Sequence, residues 1–190
     1  RLRAPPMPRM PADAPRHLRL VAPAQPTEEP APEVAPSDLD GAFRAYGRYV
    51  GYIALRILGR PDEVEDLVQE VFLDAHQRLG TLRDPGALKG FLATLTVRKA
   101  VRALKRRKVR RFFGFDDAFD YAQLADAAAS PHERALVAEV YRVLDELPAE
   151  QRTAWVLRHI EGEKVERVAE LCGCSLATVK RRIAAAQATL

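Results

Sequence analysis

The sequence predicts an all-α protein of two small helical domains joined by a flexible linker, with a helix-turn-helix at the end of the second domain. Two observations support this class. Ten of the 14 prolines lie within residues 1–37, and beyond them apolar residues recur at alternating spacings of three and four, the period of a helix with one buried face. No apolar–polar alternation is long enough to predict a strand. A chain of 190 residues is too short for a large multidomain enzyme.

Composition divides the chain into four segments. Residues 1–37 are rich in proline and alanine and predict a disordered arm. Residues 38–111 predict the first helical domain, and residues 112–131, which mix aromatic side chains with four aspartates and no lysine or arginine, predict the linker. Residues 132–190 predict the second domain.

Three helices are expected in the first domain, over about 40–58, 62–79 and 86–110. Pro61 and Pro85 fall where the second and third helices begin, a position at which the missing N–H of proline costs nothing. The apolar residues of the first helix predict one buried face, formed by Phe43, Tyr46, Val50, Ile53 and Ile57.

The second domain shows clear start and stop signals. Ser130 and Glu133 flank Pro131 in the pattern of a capping box, and Pro148 begins a further helix. Gly173 separates a short helix from a final one with Ser175 as its N-cap, the shape of a helix-turn-helix. The final helix is expected to bury Leu176, Val179, Ile183 and Leu190.

Its opposite face presents small residues and cations, namely Ala177, Thr178, Arg181, Ala184, Ala185 and Ala188, with Lys180 and Arg182 at the flanks. Arginine can pair with guanine and alanine can contact a thymine methyl group, so this face suits the major groove of DNA. An exposed helix with ordinary solvated charges has the same pattern.

Positive charge is concentrated in the third helix. The chain has a formal net charge of +4, and residues 98–111 contain nine cations and no acid. Like charges at helical spacing repel, which favours a polyanionic partner such as nucleic acid. The alternative is a solvated or frayed helix end.

The second helix has an acidic face with one exposed leucine, formed by Asp66, Gln69, Glu70 and Leu73. Such a face suits a basic partner helix, although a solvated acidic face would look the same.

Enzyme motifs are missing from the sequence. It has no phosphate-binding glycine loop, no nucleophile elbow and no metal-ligand motif, and its four histidines are scattered. Cys172 and Cys174 are too few for a zinc site and favour a reducing compartment, with Cys174 as a packed thiol. We therefore expect no catalytic residue, no metal and no cofactor.

Three features together resemble a known family. They are the stretch Asp66-Leu67-Val68-Gln69-Glu70-Val71-Phe72-Leu73-Asp74-Ala75, the basic helix after it, and Leu147-Pro148-Ala149-Glu150-Gln151-Arg152 leading to Ala177-Thr178-Val179-Lys180-Arg181-Arg182. In order and separation over residues 40–190 they resemble the extracytoplasmic-function group of bacterial RNA polymerase sigma factors.

The resemblance implies a cytoplasmic transcription initiation factor without membrane insertion, which binds core RNA polymerase and promoter DNA and is held by an anti-sigma factor. Polymerase binding is implied for Asp66, Leu67, Gln69, Glu70 and Leu73. Binding and opening of the −10 element are implied for Lys89, Thr94, Arg98, Lys99, Arg102, Lys105 and Arg106. Recognition of the −35 element is implied for Ser175, Ala177, Thr178, Lys180, Arg181 and Arg182.

The chain also departs from the family pattern. His76 stands where tryptophan is frequent, Arg181 where a small residue is frequent, and Ala185 and Gln187 where arginines are frequent. Two other functions fit the same fold: a sigma-like decoy that binds an anti-sigma factor, and a regulator that binds DNA without core polymerase.

Overall fold

The computed structural model describes residues 39–79, 85–115 and 119–190. The predicted arm over 1–37 lies outside them, so it stays a prediction. The described residues form seven α-helices and no strand, as the sequence predicts. The helices are α1 (Leu39–Leu58), α2 (Val64–Leu79), α3 (Leu88–Phe112), α4 (Pro131–Leu144), α5 (Ala149–Trp155), α6 (Val165–Cys172) and α7 (Leu176–Thr189).

Helices α1, α2 and α3 pack against one another as the first helical unit. Short 3₁₀ turns precede α2 and α3, each beginning at a proline, Pro61 and Pro85. Val50, Val71 and Val97 are almost fully buried where the three helices meet. The expected burial of Phe43 is wrong, because its ring is 47% exposed and meets only the edge of Phe72, at 5.0 Å between centroids.

The second unit begins at the predicted capping box. The Ser130 hydroxyl accepts a hydrogen bond from the Glu133 amide, and the Glu133 carboxylate accepts one from the Ser130 amide. Before this box, a 3₁₀ turn over Tyr121–Leu124 packs against α4 with Tyr121 and Leu124 buried. The described end of the linker is therefore more ordered than its composition suggests, because its apolar side chains cover α4.

Helix α5 continues into a π-helical turn over Val156–Ile160, and α6 and α7 follow as a helix-turn-helix. Gly173 adopts the left-handed conformation at the end of α6, with φ of 61°, and the Ser175 hydroxyl caps α7 by accepting from the Thr178 amide. Val179 and Ala186 are the buried residues of α7. Leu176, expected inside, is 36% exposed because it lies in the first turn, beyond the edge of α6.

The two units are joined at the carbonyl end of α1, where a helix has no internal donors for its last carbonyl groups. Arg152 donates from Nε to Ile57 O at 2.9 Å and from Nη2 to Leu58 O at 2.8 Å. Arg107 donates to Leu58 O at 2.9 Å, and the Tyr141 hydroxyl donates to the carbonyl of residue 56 at 2.9 Å. We call Arg107, Tyr141 and Arg152 with these three carbonyl groups the interdomain clasp.

Acidic side chains neutralise the clasp. Asp145 hydrogen-bonds Arg152 and lies 3.6 Å from Nη1 of Arg107, while Glu63 binds Arg107 through both carboxylate oxygens at 3.0 and 2.6 Å. Arg152 is 1% exposed and Arg107 is 4% exposed. Because a buried charge is tolerated only when it is paired and hydrogen-bonded, these partners explain why both arginines lie inside the protein.

Gly59 lets the second unit approach the end of α1. Its φ is 64°, and a β-carbon there would lie 2.4 Å from Cδ1 of Tyr141 and 3.0 Å from Nη2 of Arg152. Any side chain at position 59 would therefore push the clasp apart, in addition to the strain of a left-handed backbone.

The clasp predicts a large stability effect at Arg152. Arg152→Met removes the donor of the Ile57 carbonyl, one of the two donors of the Leu58 carbonyl and the ion pair with Asp145, all in the interior, so the free energy of unfolding should fall by about 3 kcal/mol. Urea unfolding followed by circular dichroism measures this. The control Arg142→Met removes an exposed cation of α4 and should change the stability by less than about 0.5 kcal/mol. Equal losses in the two variants would contradict the assignment of the clasp.

Candidate functional site

The exposed face of α2 combines an apolar side chain with acids. Leu73 is 63% exposed, an unusual environment for a leucine, and Asp66 and Gln69 are exposed beside it. Leu39, Phe43, Phe72 and Leu73 line a groove of about 390 Å³ between α1 and α2, with Asp40 and Gln69 at its rim. An apolar groove with a polar and acidic rim suits the apolar side of a basic helix.

Two of the residues predicted to bind a partner on α2 have internal roles. Leu67 is 4% exposed and packs in the core, so its contact with a partner stays a prediction. Its position repeats the buried stripe of Val71 and Ala75, at intervals of four. Glu70 lies 3.5 Å from Nζ of Lys99 and 3.6 Å from Arg106. The Glu70 carboxylate therefore already pairs with cations of α3, and a basic partner would have to share it with them.

Several side chains of the basic helix α3 that were predicted to bind DNA have partners inside the protein. Lys99 is 7% exposed, and its ammonium lies 2.7 Å from the Asp74 carboxylate. In this conformation the charge of Lys99 is neutralised by acids of α2 and its side chain is buried, so its contact with DNA stays a prediction. Thr94 is partly buried, and its hydroxyl donates to the Gly90 carbonyl at 3.0 Å. Lys89 is placed with its ammonium 5.1 Å from the centre of the Tyr49 ring.

Several further cations of α3 pair with acids of the second unit or of α2. Lys105 binds Glu150 at 2.5 Å and Arg111 binds Glu146 at 2.7 Å. Part of the repulsion expected within residues 98–111 is thus relieved inside the protein, without nucleic acid. Among the described residues, Arg98, Arg102 and Lys108 form no ion pair within 4 Å, and all three are exposed.

Helix α7 presents its predicted face to the outside. Ala177, Lys180 and Arg181 are exposed, while Thr178 and Arg182 are half-buried. Arg182 donates to Sγ of Cys174 at 3.4 Å, so it braces the turn before α7 as well as flanking the face. Ser175 acts as the N-cap, which leaves its hydroxyl engaged with the first turn of the helix.

The basic helix α3 contacts the helix-turn-helix. Helix α3 packs against α5 and α6. A β-carbon on Gly173, in the turn of the helix-turn-helix, would lie 3.2 Å from a guanidinium nitrogen of Arg98. Likewise, a β-carbon on Gly90 of α3 would lie 3.7 Å from a guanidinium nitrogen of Arg167 on α6.

Sequence reasoning missed the clasp residues. Arg107 was assigned to the cationic run, yet it continues the buried stripe of Ala100 and Leu104 at spacings of four and three. That spacing was a usable signal for burial. Tyr141 lies between Val137 and Leu144 at spacings of four and three, so its burial was indicated as well. The partners of Tyr141 and Arg152 were not indicated, because they are carbonyl groups more than 80 residues away in sequence.

Cys172 and Cys174 are free thiols, both partly buried. Burial raises the pKa of the Cys172 thiol to about 11, and the neighbouring Cys174 adds to the effect. The thiolate is the reactive form of cysteine, so Cys172 suits packing better than redox chemistry. In the described residues, no three His, Cys, Asp or Glu side chains are grouped to hold a metal ion, and no helix there is long and apolar enough to cross a membrane.

The pKa of Cys172 predicts slow modification. In a Cys174→Ser variant near pH 8, Cys172 should react with a thiol reagent about 10-fold or more slower than a free cysteine, because burial, the largest cause of its raised pKa, remains. Unfolding with guanidinium should abolish the difference. A folded-state rate equal to that of the unfolded chain would show that the thiol is accessible and ionised.

Comparison with known proteins matches both units. The family model described as Sigma-70 region 2 matches residues 42–110, and that described as Sigma-70, region 4 matches residues 138–190. The ECF RNA polymerase sigma factor SigM of Mycobacterium tuberculosis is 30% identical, over 80% of this chain and 74% of its own length.

Two longer relatives match as well. The chain is 34% identical to RfaY of Xanthomonas campestris, named a probable RNA polymerase sigma factor, over 79% of this chain and 40% of the relative. It is 30% identical to the ECF RNA polymerase sigma factor SigE of Mycolicibacterium smegmatis, over 76% of this chain and 56% of the relative. The chain thus spans about half the length of these two relatives.

A solved structure has the same fold. It is the sigma factor RpoE of Bartonella quintana, crystallised in complex with the anti-sigma factor NepR. The TM-score is 0.54 at 23% identity, over 80% of this chain and 94% of that chain.

Proposed function

Because the chain belongs to the extracytoplasmic-function group of RNA polymerase sigma factors, we propose that it directs core RNA polymerase to promoters. In this proposal α2 docks on the polymerase, α3 engages and opens the −10 element, and α7 reads the −35 element. The protein acts by binding in the cytoplasm and catalyses nothing itself.

The exposed leucine of α2 gives the proposal its main support. A leucine that is 63% exposed costs free energy in water, and it lies in a groove beside exposed Asp66 and Gln69. Burial of Leu73 by a partner helix removes that cost, and the acids supply electrostatic attraction to a basic partner. We assign polymerase docking to Asp66, Gln69, Glu70 and Leu73, with Leu67 supporting the face from the core.

The roles on α3 follow from exposure. Arg98, Arg102 and Lys108 are exposed and form no ion pair among the described residues, so they are the first candidates for phosphate contacts. Lys105 and Arg106 are exposed but paired with carboxylates, so phosphates would compete with Glu150 and Glu70 for them. Lys99 and Thr94 shape the helix from inside, and Lys89 lies over Tyr49.

On α7 the proposal assigns base reading to the exposed face. Arginine at 181 can donate two parallel hydrogen bonds to guanine, and Ala177 leaves room for close approach. Ser175, Thr178, Lys180 and Arg182 lie around the first turns of the helix, where amide and cationic donors suit phosphates. We also propose an anti-sigma factor as a partner, because the solved relative is bound to one.

The direct test is transcription by core RNA polymerase, with and without this protein, on randomised promoters at fixed salt. Discrete starts that share an upstream motif are expected. No starts with folded protein would contradict the proposal. Binding to an anti-sigma factor would then favour a decoy, and binding to duplex DNA alone would favour a regulator.

Leu73→Ala tests the docking surface. Truncation of a central apolar anchor should weaken binding to core polymerase about 10-fold, measured by fluorescence titration of labelled protein. The matched control is Leu176→Ala on α7, the same truncation of a leucine that is 36% exposed and lies in the second unit, outside the proposed docking face. Equal affinities for both variants would remove α2 from the polymerase interface.

Arg181→Ala tests the recognition helix. Loss of a base contact should relax the preference at one position of the −35 motif by about 1–3 kcal/mol, while Arg182→Ala should weaken binding more evenly across sequences. Sequencing of the promoters selected by each variant measures both effects. The control is Arg158→Ala, an exposed cation of the same unit outside α7. Unchanged promoter selection by Arg181→Ala would overturn its assignment.

A further inference from the structure

We propose that residues 16–22 of the N-terminal arm dock in the groove between α1 and α2 and mask the surface that binds polymerase. This segment has the sequence Arg16-His17-Leu18-Arg19-Leu20-Val21-Ala22. The inference rests on the proposed function, because the groove contains Leu73, to which polymerase docking is assigned. It gives a regulatory role to a part of the chain that neither family model matches.

The groove has an apolar floor that the described residues leave uncovered. Phe43 is 47% exposed and Leu73 is 63% exposed, and both line the groove of about 390 Å³. Burial of apolar surface stabilises by roughly 25 cal/mol per Å². An apolar segment that covers these two side chains therefore gains free energy, whether it belongs to a partner or to the same chain.

The arm joins the folded protein at this groove. Helix α1 begins at Leu39, and both Leu39 and Asp40 line the groove. Phe43 follows about one helical turn later, ~6 Å along the axis. Residues 23–38 connect the proposed segment to α1, and a connection of this length reaches up to ~50 Å at about 3.1 Å per residue. The segment can therefore fold back onto the groove from its own point of attachment.

The charge of the arm is divided in a way that selects its first half as the occupant. Residues 1–22 contain five arginines and one aspartate, whereas residues 23–38 contain four acids and no lysine or arginine. Asp62, Glu65 and Asp66, at the start of α2 and just before it, are exposed and form no ion pair among the described residues. These carboxylates attract the basic half of the arm and repel the acidic half.

Residues 16–22 are the longest stretch without proline in the basic half, between Pro15 and Pro23. Their backbone keeps every N–H donor, which proline would remove. The stretch combines three apolar side chains with two arginines, namely Leu18, Leu20, Val21, Arg16 and Arg19. An apolar groove beside acids suits such a combination, because leucine side chains cover the floor while the cations reach the carboxylates.

A tethered segment needs only a weak intrinsic affinity to act. A short flexible connection gives an effective concentration of about 1 mM. A segment that binds the groove with a Kd of ~0.25 mM would then occupy it for about 80% of the time, which weakens the apparent affinity for polymerase about 5-fold. The arm thus tunes docking without abolishing it.

The test replaces the apolar side chains of the segment in the full chain, with Leu18→Ser, Leu20→Ser and Val21→Ser combined as the segment variant. The matched control combines Leu2→Ser, Met7→Ser and Met10→Ser, which also removes three apolar side chains from the basic half. Neither variant changes a residue of the helical units, so the fold is left as it is. Circular dichroism should show the same helix content in both.

The first readout is paramagnetic broadening in the free protein. A nitroxide is placed at Ala22→Cys, with Cys172 and Cys174 replaced by serine. The Leu73 methyl resonances should broaden about 3-fold more with the wild-type arm or the control arm than with the segment variant, because the docked arm stays beside them. The methyl groups of Leu176 on α7, a leucine that is 36% exposed, should not respond.

Equal broadening of Leu73 with the wild-type arm and the segment variant would overturn the proposal. Broadening that arises only between labelled and unlabelled copies would place the arm on a second chain, and would overturn the intramolecular contact.

The second readout is affinity for core polymerase. The segment variant should bind about 5-fold more tightly than the wild type, and the control should match the wild type. The difference should shrink at high salt, because salt screens the attraction of Arg16 and Arg19 to the acids of α2. Polymerase binding that does not differ between the segment variant and the wild type would overturn the masking.

Failure of the arm contact is distinguishable from failure of the proposed function. The resonance measurement contains no polymerase, so it decides the contact even if no variant binds polymerase, a result that would contradict the proposed function. Transcription starts by the wild type, combined with equal broadening and equal affinity in the segment variant, would leave the sigma function intact and refute the arm as a mask.

Discussion

The end of α1 determines how the two helical units of this chain are placed. Every α-helix leaves its last carbonyl groups without internal donors, and here the donors are Arg107, Tyr141 and Arg152 from three other helices. Arg152 is buried in the second unit, so satisfying α1 fixes that unit against the first. Gly59 makes the approach possible because it lacks a side chain. Together with the packing of α3 against α5 and α6, this contact sets the position of the helix-turn-helix relative to the basic helix.

The cations of α3 fall into two groups, those that pair with acids of the protein and those that remain exposed. Some cations are structural, as with Lys99 against Asp74 and Arg107 against Glu63, and they secure α3 to the rest of the protein. Arg98 and Arg102 remain exposed and form no ion pair among the described residues. A dense run of positive charge therefore does not equal a uniform nucleic-acid surface. Burial distinguishes the cations that stabilise the fold from those that can bind phosphate. The buried cations pair with acids on other segments of the chain.

Local chemistry made much of the fold predictable. The capping box at Ser130, the left-handed Gly173 and the N-cap at Ser175 fix helix ends through groups a few residues apart, so the sequence indicates them directly. The helical period also predicts which face of α2 is exposed. Leu67 is the exception, because the family resemblance implies a partner contact for a residue that is buried. The clasp could not be predicted, because it depends on the approach of segments 85 to 95 residues apart. The ion pairs of Lys99 and Lys105 were not predicted either, because their partners Asp74 and Glu150 lie on other helices.

The central claim is that the interdomain clasp fixes the two helical units against each other in the folded protein. Pulsed electron spin resonance measures this directly, with labels at exposed Arg48 on α1 and Glu166 on α6, and Cys172 and Cys174 replaced by serine. We predict one short, narrow distance between the labels, within the ~40 Å diameter of a compact body of this size. A broad distribution, or a distance beyond that diameter, would contradict the account.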